Sequence, residues 1–549
     1  MSPRAVLSTP CLLNPLKRWR CSIILGVVGG LSAFAFDAKA ADQPQWGEAW
    51  TRNMVSAERG LPDSFDPQTG KNIQWIAKLG TESHSTPIVA QGRVFVGTNN
   101  EEPKDPKHQG DRGVMLCLDE KDGHLLWQLV VPKREEDPYF DWPKTGMSSS
   151  VTVEGNRVYT VDNRGEVVCL DIDGMANGND GPYLDEGAHM SAPPASAPAK
   201  PVAGVSISPR LTLPSAEMQS LLSPGPLDAD IIWLFDMVKD AGIWPHDGAH
   251  SSILIHGDYL YLNTGTGVDN THRGIRAPDA PSLIVIDKKT GRYIARDDEH
   301  IGPNIFHATW SSPSFATING RDLIFFAGGD GILRAFEPIT QAPPPGEVLK
   351  LKKVWQFDPD PSTPKEDVHR FTSNRRESPS DIYGMPVTFQ NKLFVAGGGD
   401  IWWGRNEAWL KCIDITKSGD TTAGGAIWTY PVDRHVMSTP AISDGLVFIA
   451  DIGRKLHCVD AATGQVCWTQ DLKGEVWASP LVADGKVYLG TRHGDFWIMA
   501  AKREKQVLCS LEMGKPISAT ATAANGVVYV STMNRLYALK EGAMTKPEE

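Results

Sequence analysis

His246, Asp247, His250 and His307 are the residues of this chain whose types best suit a transition-metal site, if the fold brings them together. Neutral imidazole nitrogen is a good ligand for such ions, and a carboxylate can complete the set. A second candidate is the run Asp171-Ile172-Asp173-Gly174-Met175-Ala176-Asn177-Gly178-Asn179-Asp180-Gly181. Asp171, Asp173, Asn177, Asn179 and Asp180 are hard oxygen donors of the kind calcium takes. Met175 stands where an EF-hand loop wants oxygen, and the closing Glu is out of register. Asp-Gly and Asn-Gly are also ordinary turn formers, so the run is equally well read as a turn.

Other chemistry-bearing residues recur at one place in a repeat. Ser85-Thr86-Pro87, Ser438-Thr439-Pro440 and Ala478-Ser479-Pro480 each lead through a Gly turn into an apolar strand, at Gly92, Gly445 and Gly485; Ser518-Ala519-Thr520-Ala521 leads likewise to Gly526. Degenerate copies start near Met147, His250, Trp310 and Tyr383, which makes eight units. A period near 40 residues with four short strands per unit is the mark of a β-propeller. In the fuller units the third strand ends on Asp, as in Leu116-Cys117-Leu118-Asp119, a Gly turn follows, and the fourth strand carries Trp. Asp460-Ala461-Ala462-Thr463-Gly464-Gln465-Val466-Cys467-Trp468 is the fullest copy.

That Asp-x-x-Thr-Gly-x-x-x-Trp pattern resembles the tryptophan-docking repeat of the PQQ-like (quinoprotein alcohol dehydrogenase-like) β-propeller family. The resemblance runs from about Asn72 onward. It implies an all-β fold, a single eight-bladed propeller of four-stranded antiparallel blades, with each Trp packed between neighbouring blades. Asn72 to Leu79, with Trp75, is a spare strand expected to complete the last blade, close the ring and remove an open sheet edge. The expected divisions are a signal peptide over 1–40, an N-terminal extension over 41–71, the propeller over 72–540 and a tail over 541–549. An Ala/Pro/Ser-rich stretch over 187–226 reads as a flexible surface insertion in the second blade, and Gln341 to Gly346 as a Pro-rich loop in the fourth.

Inner strands face the central channel, so the residue before each Ser/Thr start should look into one mouth. That column reads His84, Met147, His250, Trp310, Tyr383, Met437, Trp477 and Ile517, with His246, Asp247, His307, Asp381, Arg434, His435 and Glu475 nearby. Of these, His84, His246, His250, His307, Trp310, Tyr383, Arg434, His435 and Trp477 are the channel-face binding candidates. Ordinary loop packing with water-satisfied polar groups would also account for them.

The family's enzymes hold PQQ in the channel, with calcium as Lewis acid, an Asp base and often a lid of two disulfide-bonded adjacent cysteines. No adjacent Cys pair, haem-attachment Cys-x-x-Cys-His, P-loop, Gly-x-Ser-x-Gly or His-Glu-x-x-His occurs here. The family's calcium ligands and base cannot be matched residue by residue, so catalytic residues stay unassigned. Two functions remain: a non-catalytic binding or scaffold module with a protein or small-molecule partner at the channel face, and a PQQ- and calcium-dependent dehydrogenase of alcohols or sugars. PQQ and calcium are thus possible cofactors. Cys117, Cys169, Cys412 and Cys458 share one strand position and read as small buried hydrophobes.

The start of the chain reads as an export signal. Arg4, Lys17, Arg18 and Arg20 precede the apolar run Ser22 to Phe36, and Ala38-Lys39-Ala40 supplies a cleavage site after Ala40. The expected location is periplasmic or otherwise extracytoplasmic, with no membrane span. A net charge of −12 and a pI near 5.7 argue against a nucleic-acid partner.

Overall fold

The computed structural model describes residues 41–134, 139–191 and 221–546. The proposed leader and residues 192–220 of the insertion lie outside them. Eight small antiparallel sheets follow one another, and in each the chain runs from an inner strand outward. Blade 1 uses Ile88–Ala90, Arg93–Asn99, Arg112–Asp119 and Leu125–Pro132. Blades 2 to 8 start at inner strands Thr152–Glu154, Leu254–His256, Ser314–Ile318, Val387–Phe389, Ala441–Ser443, Leu481–Ala483 and Thr522–Ala524. Blades 3, 4, 5 and 7 each gain a short fifth strand. Among the described residues no helix is long and apolar enough to cross a membrane.

The expected ring closure is present. Lys71–Lys78 pairs antiparallel with Arg535–Met544 and becomes the outer strand of blade 8. Trp75 then docks on blade 1, its indole N–H donating to the Glu120 carbonyl at 2.9 Å. A side chain on Gly123 would collide with that ring, at 2.6 Å, so glycine is required where the Trp lies flat on the turn. The same contact links Trp127 to Ile172, Trp233 to Lys288, Trp428 to Ala461 and Trp468 to Lys502. These indoles bury a large apolar area between blades while their one polar group stays satisfied.

The Ser/Thr signature has a second role beyond starting a strand. Thr86 N–H donates to Ser150 Oγ, Ser251 N–H to Ser149 Oγ and Ser252 N–H to Ser312 Oγ. Ser311 Oγ donates to the Gly384 carbonyl. Met385 N–H reaches Thr439 Oγ1, Thr439 N–H reaches Ser479 Oγ, Ser479 N–H reaches Thr520 Oγ1, and Thr520 N–H returns to Thr86 Oγ1. A belt of hydroxyls therefore stitches every blade to the next around the channel, and satisfies amides that neither strand partner nor solvent reaches.

Residues 41–56 form a strap that visits all eight inner strands. Gln43 bridges Val89 of blade 1, and the Pro44 carbonyl accepts from Val153 of blade 2. Arg52 holds Ser252 of blade 3 and Pro313 beside blade 4, and Trp50 accepts from Phe315. Thr51 accepts from Thr388 of blade 5, Asn53 pairs with Ile442 of blade 6, Val55 with Val482 of blade 7, and Ser56 with Ala523 of blade 8. These contacts lie up to about five residues further along the chain than the mouth column, or on the order of 15 Å of extended backbone. The strap thus floors the channel away from the mouth. The sequence reading had named 41–71 only as an extension.

Candidate functional site

The mouth is built from two kinds of loop. Those entering the inner strands carry His84, His246, His250, His307, Trp310, Tyr383, Arg434, His435 and Trp477. Those joining second to third strands carry His272 in blade 3, and Asp400, Trp402 and Trp403 in blade 5.

His246, His272 and His307 each offer a ring nitrogen within 4.8 Å of the other two. His246 and His307 are only 1% and 2% exposed, and His272 is half-buried. Nε2 of both His246 and His307 is buried without a hydrogen-bond partner. Asp247 Oδ2 lies 3.5 Å from His246 Nε2, outside hydrogen-bonding geometry. The other side of the His307 ring is tied down: its Nδ1 donates to Asp400 Oδ2 at 3.0 Å. Burial, and then the neighbouring rings of His307 and His272, push His246 down to about 2, so it stays neutral. His272 is lowered for the same reasons, burial first and then His307.

Asp400 organises this cluster. Its Oδ2 also accepts from the Tyr383 hydroxyl at 2.5 Å, and its Oδ1 accepts from the Trp402 and Trp403 amides. Burial alone would raise its pKa, but His307, Tyr383 and the Trp403 N–H outweigh burial and hold it below the usual carboxylate range. Asp381, also fully buried, goes the other way: desolvation and the charge on Asp400 raise it well above normal.

Aromatic rings surround the histidines. Trp310 contacts His307 at 5.3 Å, Tyr383 at 5.2 Å and Trp402 at 5.9 Å, and its N–H donates to the His246 carbonyl. Trp402, 38% exposed, reaches Trp477 at 6.3 Å. Trp477 stacks on His84, which pairs with Glu82, while Arg492 covers the indole at 4.5 Å. His250 does not join the imidazole cluster. Its Nε2 bonds the Asp247 carbonyl at 2.7 Å and its ring meets Trp310. His435 bonds the Arg405 carbonyl, and Arg434 packs its stem on Gly453.

The acidic run in blade 2 folds as a turn containing the short helix Gly174–Asn177. Asp171 pairs with Arg157 and Asp173 with Arg93, while Asn177 donates to Asp180 and Asn179 to Glu186. Two of the five proposed calcium donors are therefore engaged by guanidinium groups.

The sequence pattern of the family described as outer membrane protein assembly factor BamB matches residues 111–176 and 414–542. Those stretches hold blades 6 to 8 and parts of blades 1, 2 and 5, in the repeat register read above. Over those residues the chain is similar to the PQQ-like repeat family. No curated protein matches this PQQ-like propeller in sequence. Among solved structures, quinohemoprotein alcohol dehydrogenase from Comamonas testosteroni is 12% identical with a TM-score of 0.54, covering 93% of this chain and 82% of its own. A europium-containing methanol dehydrogenase is 12% identical at 0.51, covering 91% and 98%. BamB from Moraxella catarrhalis is 11% identical at 0.47, covering 86% and 97%. At such identities the likeness is one of fold alone.

A calcium-held quinone does not suit this PQQ-like channel. Calcium takes six to eight oxygen donors, whereas the ring neighbours of Trp310 are His250, His307, Tyr383 and Trp402. The carboxylate nearest them, Asp400, already accepts from four donors. All six cysteines among the described residues are free, and Cys117, Cys169, Cys412 and Cys458 are buried in strands.

Proposed function

We propose that the protein is an exported, non-catalytic binding module that takes a small molecule at the open mouth of its channel, in the periplasm or another extracytoplasmic space. The observation that carries this reading is the aromatic wall in which Tyr383, Trp310, Trp402 and Trp477 touch in series, with Trp402 exposed at its rim. Concave sites lined by aromatic side chains and a few fixed polar groups are where propellers and other rigid scaffolds hold ligands. Arg492 over Trp477 and the Glu82–His84 pair supply polar anchors at one side. The strap supports the reading by flooring the channel at the far end, so that a ligand enters and leaves from one side.

The test is native mass spectrometry of the full chain harvested from its export compartment. A retained small-molecule mass that disappears in Trp402→Ala is expected. A bound polypeptide in its place would make the module a protein-binding scaffold. Substrate-dependent dye reduction by protein incubated with PQQ and calcium, against alcohols and sugars, would replace the reading with a quinoprotein dehydrogenase.

A further inference from the structure

The geometry points to a transition-metal site, for zinc or copper(II), formed by His246, His272 and His307 at the mouth of the channel. It goes beyond the aromatic-wall reading and does not depend on it.

Three features distinguish this cluster from ordinary buried histidines. The first is a pair of buried nitrogens without hydrogen bonds. A buried imidazole normally spends both nitrogens on partners, yet Nε2 of His246 and of His307 has none. The second is how one ring is held. His307 is tethered through its opposite side by the Asp400 carboxylate. Metal-ligating histidines are oriented in this way, because the outer hydrogen bond fixes the tautomer and leaves the inner nitrogen basic. The third is charge. Two carboxylates stand beside the three rings, Asp400 at 3.0 Å from His307 Nδ1 and Asp247 at 3.5 Å from His246 Nε2, and both favour a bound cation.

Two other groups of acids and histidines among the described residues show the contrast. Asp162, Glu166 and His189 are buried, but His189 Nε2 is already taken by Glu166 at 2.9 Å, with Asp162 Oδ2 3.5 Å away. Asp119, Asp122 and His124 sit on a surface turn, where His124 bonds Asp122. Neither presents an unused nitrogen to a shared point.

The donor set selects the metal. All-imidazole sites suit zinc and copper and offer calcium or magnesium nothing. A tetrahedral ion about 2.1 Å from each nitrogen holds them about 3.4 Å apart, so the cluster closes slightly on binding. His272 is the ring able to move. It is half-buried on the long loop between the second and third strands of blade 3, in a left-handed backbone conformation with φ of 55°. Three protein nitrogens leave a further position for water or a ligand from the mouth.

The experiment uses the full chain, stripped with chelator, desalted, and titrated separately with Zn²⁺, Cu²⁺ and Ca²⁺. Expected results are one Zn²⁺ or Cu²⁺ per chain at sub-micromolar affinity, and no competition by excess Ca²⁺. His272→Ala, at a half-buried loop position outside the strands, should weaken binding at least 100-fold while keeping the circular dichroism of the metal-free protein. His256→Ala, on the inner strand of blade 3 away from the cluster, should leave binding unchanged. Electron paramagnetic resonance of the copper form should show coupling to imidazole nitrogens, and this reading needs no variant. A wild-type chain that retains neither ion overturns the site. So does binding left intact by both His272→Ala and His246→Gln, or a copper spectrum without nitrogen coupling.

Discussion

His307 and Asp400 meet through Nδ1 and Oδ2 at 3.0 Å, and this contact fixes which nitrogen of the imidazole is left for the channel. The carboxylate accepts, so Nδ1 carries the proton and Nε2 keeps its lone pair. Asp400→Asn removes that preference. We expect a 10- to 100-fold loss of zinc or copper affinity, roughly the effect of removing an outer partner of a metal-bound histidine. Chelator competition measures it, and a changed copper spectrum separates lost positioning from general destabilisation.

The hydroxyl belt gives a stability prediction. Ser479 Oγ accepts from Thr439 N–H, and both residues are buried. Ser479→Ala leaves that amide unpaired, at a cost of about 1–3 kcal/mol. The urea midpoint should fall accordingly, with the aromatic wall at the mouth unchanged in its fluorescence.

Arg52 anchors the strap without a carboxylate partner. Its guanidinium, fully buried, donates to the carbonyls of Pro313, Trp46 and Ser252 and to Ser252 Oγ. Burial lowers its pKa to about 9, which still leaves it charged at neutral pH. Arg52→Met should cost roughly 3 kcal/mol by stranding those acceptors. Limited proteolysis should then cut within residues 41–56 in the variant, and spare them in the wild type.

His189 makes stability depend on pH. Burial alone would lower its pKa, but hydrogen bonds and charge from Asp162 and Glu166 raise it to about 9. The folded value lies above the unfolded value of about 6.5, so the stabilisation is complete below pH ~6.5 and is lost as pH rises through about 9. It amounts to at most about 3 kcal/mol. Denaturation midpoints measured from pH 6 to 10 should fall in the wild type relative to His189→Gln.

The end of the strap bears on leader removal. Ala41 N lies 2.7 Å from Glu58 Oε1, whose other oxygen accepts from Gly526. Cleavage after Ala40 turns that amide into an ammonium group facing a carboxylate. N-terminal sequencing of exported protein should begin at Ala41. Glu58→Gln should destabilise the processed form by about 1–2 kcal/mol more than an unprocessed one.

The blades were legible because their signals repeat: a Ser/Thr start, a Gly turn, and an Asp and a Trp at fixed offsets. Of the column before each Ser/Thr start, Tyr383 and Trp310 touch each other, as do Trp477 and His84, with Trp402 linking the two pairs. His246 and His307, two of the residues whose types suit a metal, lie side by side. Their third partner is His272, not His250, because His250 turns back to the Asp247 carbonyl. His272 and Asp400 were missed for one physical reason. Both lie in loops joining second to third strands, which follow no repeat, and a propeller brings such loops together only across blades. The 19 residues between Asn263 and Leu283 were the available hint, being far longer than the matching turns in blades 6 and 7. The strap was invisible because its contacts are mostly backbone pairings, which leave little mark on residue type.

The strap also sets an order of events. Its partners begin at Val89 and end at Ala523, so its binding surface exists only after the last blade has been made. If the chain is exported from its N-terminus, these residues emerge early and wait for nearly five hundred others. Until then the ring is held by the hydroxyl belt, the docked tryptophans and the Lys71–Lys78 closure alone. Seating the strap is therefore a late, post-translational step, and it converts an assembled ring with two open ends into a vessel with one.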